Sequence, residues 1–453
     1  MSDHRRLLLS RRDLLKYGGL TAVAAGAASF GPRLVGSILQ PGRALAVDQE
    51  PNLKLVGTDG WISMPPGPSI NSAAYGLVHP DSYAPANRTD YIFGFANATG
   101  ISDTDLFQLK NKAQHSAPLF WAKEGDDFRV QLTNVGLAQR PDLFDAHTLH
   151  WHGFKNVIPF FDGEPTGSVS IPQGQTFTYV YKSHDPGTYM FHCHVEDVEH
   201  VHMGMTGLVF VRPSLDGNTS FYPSGKYAYN DGSTGFDREY AMFLSEVWAE
   251  AHWADAHIQL PEWSDYHADF SLLNGRAYPD TLEPNGAIFS DAGLPNATYP
   301  FKVARDASYD LTPPTGPRSA DLGNQPMSSL VTCQAGERVL LRFANLGFKE
   351  AAMTLTGIKL RVVGRDATPL RGRDGTDSSY PTNTVALGAG ESFDAIFTAP
   401  AHSGGPGPDT YVLYNRTYIR ADNLAGGGGQ RTEVHVYPAG ALQPQKYPND
   451  WGM

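Results

Sequence analysis

Short runs rich in Val, Tyr, Phe and Thr, bounded by Gly, Pro, Asn or Asp, recur along the chain, and long amphipathic patterns are few. β-branched and aromatic side chains suit a pleated, half-buried surface, while the bounding residues suit turns, so the pattern predicts an all-β protein of packed sandwiches with little helix. Thr188–Phe191 is one such run. If the strand continues through His192, Cys193 and His194, successive side chains alternate faces. Cys193 then points one way, and His192 and His194 the other. Residues 147 to 153, His-Thr-Leu-His-Trp-His-Gly, obey the same period if extended. His150 and His152 share a face; His147 takes the opposite one.

Three segments recur in the same order, which marks a duplicated domain. Glu124–Gly136 matches Ala335–Gly347, Pro172–Phe177 matches Gly388–Phe393, and Thr188–His194 matches Thr410–Arg416. Two copies of one sandwich are expected, over residues 51–213 and 240–440, with a linker at 214–239 rich in Gly, Ser, Asn, Asp and Tyr and a tail at 441–453. The second copy is stripped of chemistry. Tyr414, Asn415 and Arg416 stand where the first copy has His192, Cys193 and His194, and Thr354-Leu355-Thr356-Gly357 replaces His150-Trp151-His152-Gly153.

Those residue types at those places form a metal-site pattern. A thiolate from Cys193, imidazoles from His147 and His200 and a soft thioether from Met205 suit copper in a trigonal His₂Cys site with a weak axial sulfur. The opposite face offers His150, His152, His192 and His194. Zinc is the other common occupant of His/Cys clusters, but a lone cysteine with an axial methionine disfavours it. A single histidine on an apolar strand is ordinarily a hydrogen-bonded core residue, and His79, His115, His184, His402 and His435 are read that way; His202 and Met203 are read as neighbours of the site. Cys333 is expected to sit inert in a strand.

The residues just quoted resemble the multicopper oxidases, whose copper-bearing domain carries His-x-x-His-x-His-Gly upstream of His-Cys-His and a closing His-x-x-x-Gly-Met. The resemblance implies two cupredoxin-like Greek-key β-sandwiches, with His147, Cys193, His200 and Met205 as type 1 copper ligands, His150 as a type 2 ligand, and His152, His192 and His194 as type 3 ligands. One departure is visible: His200 lies seven positions after Cys193 where the family usually has five. The spacing of five from His200 to Met205 is kept, which favours His200 over His202. Asn274–Thr281 also resembles the opening of the copper-free middle domain of laccase-like enzymes.

The amino terminus and the charge balance narrow the setting. Ser10–Lys16 resembles a twin-arginine signal, followed by a weakly apolar stretch from Tyr17 to Phe30 and an Ala44-Leu45-Ala46 cleavage candidate, so residues 1–46 are read as a signal peptide and the mature chain as periplasmic, cell-surface or secreted. No later segment could span a bilayer. Without residues 1–46 the chain keeps 28 Lys+Arg against 45 Asp+Glu, a formal charge of −17, which argues against a nucleic-acid partner. With Cys193 committed to metal, only Cys333 remains, and disulfides are not expected.

By the resemblance, electrons from a small-molecule or metal-ion donor (a phenol, an aromatic amine or a low-valent metal) enter at the type 1 copper and reach dioxygen at the histidine-rich site. Glu196, Asp197 and Glu199 are either proton donors there or a solvated acidic loop. A complete three-copper cluster in this family takes eight histidines, four from each of two facing domains, and two-domain relatives draw the second four from a neighbouring subunit of a homotrimer. The stripped second copy has none in the motif positions; His252, His257 and His267 lie at its start. A laccase-type oxidase is thus weighed against a blue-copper electron-transfer or copper-binding protein, and against a copper nitrite reductase, for which Arg416 stands where the partner histidine belongs.

Overall fold

A computed structural model describes residues 51–65, 82–85, 89–155, 157–285, 322–417, 420 and 428–450. The signal segment expected at 1–46 lies outside the described residues. Alternation organises the first half: in β6 (Thr176–Lys182) Phe177, Tyr179 and Tyr181 are buried and their neighbours are not. This strand closes a sheet of order β2-β1-β4-β6 with β1 (Leu53–Ser63), β2 (Thr89–Asn97) and β4 (Asp127–Asn134). The second sheet runs β3-β8-β7-β5, from β3 (Phe120–Lys123), β5 (His150–His152), β7 (Gly187–His192) and β8 (Thr206–Arg212). Aromatic side chains fill the space between them: Trp151 stacks on Tyr181 at 4.3 Å between ring centres, and Phe120 on Phe128 at 5.7 Å. The helix α1 (Asp197–Met203) interrupts the path from β7 to β8.

The second half repeats the layering. One sheet of seven strands comprises β9 (Arg238–Val247), β10 (Phe270–Leu273), β12 (Arg338–Asn345), β14 (Leu360–Arg365), β15 (Thr368–Pro369), β16 (Tyr380–Thr382) and β18 (Ser392–Thr398). The other has five: β11 (Val331–Gln334), β13 (Ala351–Leu355), β17 (Thr384–Leu387), β19 (Asp409–Asn415) and β20 (Arg431–Tyr437). Tyr240, Leu341 and Phe343 of the first meet Val331, Met353, Leu413 and Val434 of the second in one core, with Cys333 buried among them. A short helix, α2 (Ala249–Ala256), follows β9. The stretch expected to be a linker is packed down, because Ala228, Tyr229 and Phe236 are buried against Leu340, Val363 and Ile396, and its last residues already belong to β9. Among the described residues no helix is long and apolar enough to cross a membrane.

Every residue of β7 is buried, so alternation fails there for a physical reason: the second sandwich covers its outer face. Thr188 donates to Asp394 Oδ1 at 2.6 Å, Ser392 donates to the Thr188 carbonyl at 2.6 Å, and Arg342 reaches Thr188 Oγ1 at 3.2 Å, Asp394 at 3.4 Å and Glu239 at 3.0 Å. Gly187 lets the chains touch; a Cβ there would lie 2.6 Å from the Cα of Ala367. Three buried imidazoles hold the other part of the seam. His202 accepts from Trp248 N at 3.0 Å, His115 pairs with Ser245 Oγ at 3.1 Å, and His252 Nδ1 meets the Tyr91 carbonyl at 2.5 Å.

Removing Asp394 leaves Arg342 buried with Glu239 as its remaining carboxylate partner. Asp394→Ala should therefore cost about 3 kcal/mol or more and lower Tm by several degrees, with Asp394→Asn in between; an unchanged melting curve would refute the network's role. Burial also depresses the imidazole pKa values of the seam, to about 4 at His115 and His252 and well below the ordinary value at His202. Their folded values lie below the unfolded value near 6.5, so this stability is complete above about pH 6.5 and is lost as pH falls toward 4, at about 1.4 kcal/mol per unit for each group. Melting curves taken stepwise across that range should show the fall, and His252→Gln should flatten it.

Candidate metal centre

Pairing of β5 with β7 sets His150 opposite His192, Trp151 opposite Phe191 and His152 opposite Met190. Beyond β7, Cys193 turns inward and is fully buried. The longer stretch after Cys193 is taken up by α1. Its last turn closes at Gly204, which has a left-handed φ of 119°, so that Met205 N donates to the His200 carbonyl at 2.9 Å and Cys193 N to the Met205 carbonyl at 3.0 Å. Those bonds return His200 and Met205 to the cysteine. His200 Nδ1 lies 3.3 Å from Cys193 Sγ, whereas His202 faces the seam. His147 is placed by its bridge to Ile171, and the donor atoms of His147, Cys193 and His200 lie within 4.8 Å of one another. Met205 shares the pocket: a Cβ on Gly57 would lie 2.7 Å from His147 Cδ2 and 3.4 Å from Met205 Cε.

The electrostatics of this pocket are those of a thiolate among imidazoles. Burial opposes ionisation of Cys193, but His200 and His147 outweigh it and hold the thiol well below its ordinary pKa. Burial likewise opposes the charged form of His200, yet the Cys193 thiolate and Asp145 push it up to about 10. Thr148 N donates to Sγ at 3.4 Å, and its hydroxyl accepts from His194 N at 2.8 Å, tying the two histidine-bearing segments together. His147 Nδ1 is buried without a hydrogen-bond partner. An orphaned imidazole nitrogen beside a depressed thiol and a thioether is a donor set that fits copper.

On the opposite face the four remaining imidazoles converge. Ring centres lie 5.2 Å apart for His150 and His192, 5.1 Å for His150 and His194, 5.6 Å for His152 and His192, and 5.4 Å for His192 and His194. Nδ1 of His150 lies 2.8 Å from the Asp162 carbonyl, and Nδ1 of His192 2.8 Å from the Cys193 carbonyl. A carbonyl only accepts, so each Nδ1 carries the proton and each Nε2 is left as a metal donor. Burial, with the neighbouring imidazoles, lowers His152 and holds His192 at about 3, so both are neutral and competent to ligate at neutral pH.

The structure separates other residues from this cluster. Glu196 and Glu199 group with Asp145 around His200, on the cysteine side rather than near the four imidazoles. Glu199 also faces Asp255, whose carboxyl burial and that neighbour raise to about 8. His252, His257 and His267 bond instead to the carbonyls of Tyr91, Trp253 and Asp265. Sequence reasoning missed Gly57, Asp145 and Thr148. Only the position of Thr148 inside the His-x-x-His-x-His run could have pointed to one of them.

A family model described as multicopper oxidase matches residues 110–216, which contain every residue of both groups. Residues 110–216 thus carry a multicopper oxidase domain, and the chain has laccase and ascorbate oxidase homologues. It is 26% identical to Laccase-25 of Oryza sativa subsp. japonica over 336 residues, covering 71% of this chain and 46% of that protein. Among solved structures it is similar to the blue copper oxidase from Nitrosomonas europaea, with a TM-score of 0.53 at 19% identity, covering 84% of this chain and 85% of that one. The multicopper oxidase mgLAC gives a TM-score of 0.54 at 19% identity, covering 88% and 92%. At such identity these structures establish the all-β cupredoxin fold. The chain spans at most about half the length of the laccases that it matches over most of its residues, 46%, 41% and 51%.

Copper supplied to the protein should give an intense blue thiolate-to-copper band that Cys193→Ser and His200→Ala abolish and His202→Ala keeps. A blue spectrum in the His200→Ala variant would remove that residue from the site. Gly57→Ala must displace the His147 ring, so it should shift or weaken the same band while the far-ultraviolet circular dichroism stays unchanged.

Proposed function

We propose that the protein is a copper-dependent oxidoreductase that takes electrons singly from a small-molecule or metal-ion donor and delivers them to dioxygen. One observation supports the reading: the donor atoms of His147, Cys193 and His200 cluster within 4.8 Å of one another, as do those of His150, His152 and His192, in a segment that matches the multicopper oxidase family. His147, Cys193, His200 and Met205 would hold a type 1 copper, and His150, His152, His192 and His194 the copper that meets oxygen. Copper supplies a one-electron redox couple at the first group and an oxygen-binding centre at the second.

The chain's own residues prepare both. Burial of Cys193 and Met205 excludes water from the first group, and the hydrogen bond from Thr148 N fixes the sulfur. The two groups are directly wired: Cys193 is bonded in the backbone to His192 and His194, and His192 Nδ1 also donates to the Cys193 carbonyl. His200 stands toward the acidic surface of Asp145, Glu196 and Glu199, where a donor can approach without crossing the protein. Export through the twin-arginine route to the periplasm, cell surface or medium, and assembly as a homo-oligomer, belong to the same reading.

Oxygen uptake with a phenolic donor tests it. Consumption should require copper and fall at least a hundredfold in Cys193→Ser, with no nitric oxide formed from nitrite. Rapid nitrite turnover would replace the oxidase by a nitrite reductase; a normal blue spectrum with neither activity would leave an electron carrier.

A further inference from the structure

The chain has sixteen histidines, which bounds where imidazole ligands can come from. His4 and His79 lie outside the described residues. His147 and His200 flank Cys193. His115, His202 and His252 are held in the seam by Ser245, Trp248 N and the Tyr91 carbonyl. His184, His257, His267, His402 and His435 belong to no group of metal-donor atoms among the described residues. Among the described residues only His150, His152, His192 and His194 are left.

The second sandwich meets this cluster with the backbone of Gly390 and with the Asp366 carboxylate, whose charge acts on His152. Gly390, at a left-handed φ of 79°, lies so close that a Cβ would stand 3.1 Å from His152 Nε2. Asn415, which occupies the position of Cys193 in the repeat, is buried in its own sheet and bonds to Gln430 and to Ala352 N. No imidazole of the second sandwich faces the cluster among the described residues, so the ligands do not fit a complete three-copper centre.

They fit a smaller one. The donor atoms of His150, His152 and His192 lie within 4.8 Å of one another. An ion about 2 Å from each of three nitrogens needs them no more than about 3.5 Å apart, so closure of at most about 1.3 Å forms the site. Two of the three rings are already fixed as Nδ1 donors with Nε2 free. We propose that His150, His152 and His192 form a mononuclear three-imidazole copper site, with His194 at its edge, and that the chain holds two copper ions. The inference rests on copper binding at the imidazole cluster, and it departs from the three-copper arrangement.

Full-length protein reconstituted with copper(II) and dialysed tests it by counting metal and spins together. Mass spectrometry should give two coppers per chain, and electron paramagnetic resonance of the oxidised protein should account for both, one with the small hyperfine splitting of a blue site and one normal. His150→Ala and His152→Ala should each lose one copper and the normal signal while the blue signal stays. Cys193→Ser should lose only the blue signal, so failure of the type 1 reading is seen separately. Three or four coppers per chain, or fewer spins than coppers, would show a coupled pair and overturn the proposal, as would persistence of the normal signal in both histidine variants.

Discussion

A thiolate buried away from water is costly unless positive charge and donors surround it, and the arrangement of the first sandwich follows from meeting that cost at Cys193. His200 and His147 supply the imidazoles and Thr148 N the hydrogen bond. Each imposes a constraint elsewhere. His200 returns to the sulfur only because α1 coils the longer stretch and ends at Gly204. His147 fits only because β1 carries Gly57 instead of a side chain. Backbone alternation around Cys193 then leaves His192 and His194 no choice but the opposite face, so fixing the sulfur fixes the imidazole cluster as well.

That cluster lies against a seam, and the seam explains why a stripped repeat is a working part of the fold. β7 is buried on both faces, and the Thr188–Asp394–Arg342–Glu239 network joins its outer face to the second sandwich. Without that cover Thr188 and the backbone of β7 would face solvent, and the strand carrying His192 would lose half of its packing. The second copy supports the strand that carries His192, and among the described residues it adds no imidazole to the cluster.

Much of this was legible in the sequence for a reason that differs from residue to residue. Short β-prone runs and the internal repeat were enough for two all-β sandwiches, because alternation is a local property of the chain. The facing of Cys193 against His192 and His194 followed from the same period. Gly57 and Asp145 were not legible: each acts through space, from a strand or loop distant from the motifs. The packing of the linker expected at 214–239 was not legible either, because composition rich in Gly, Ser and Asn names no partner, while burial of Tyr229 and Phe236 is set by the neighbouring core.

The choice between His200 and His202 shows how spacing and packing must be combined. Both lie in α1, two residues apart and so about 200° apart around a helix with 3.6 residues per turn, which sends them to opposite sides. One side is the cysteine and the other the seam, where His202 accepts from Trp248 N and packs within 5.0 Å of His252. Exchanging the two would require α1 to rotate by half a turn, which would pull His202 from its donor and Met205 from the Cys193 amide together. The insertion between Cys193 and His200 is therefore more than slack in the loop: it makes the helix that gives one histidine to the metal pocket and the next to the joint between the sandwiches.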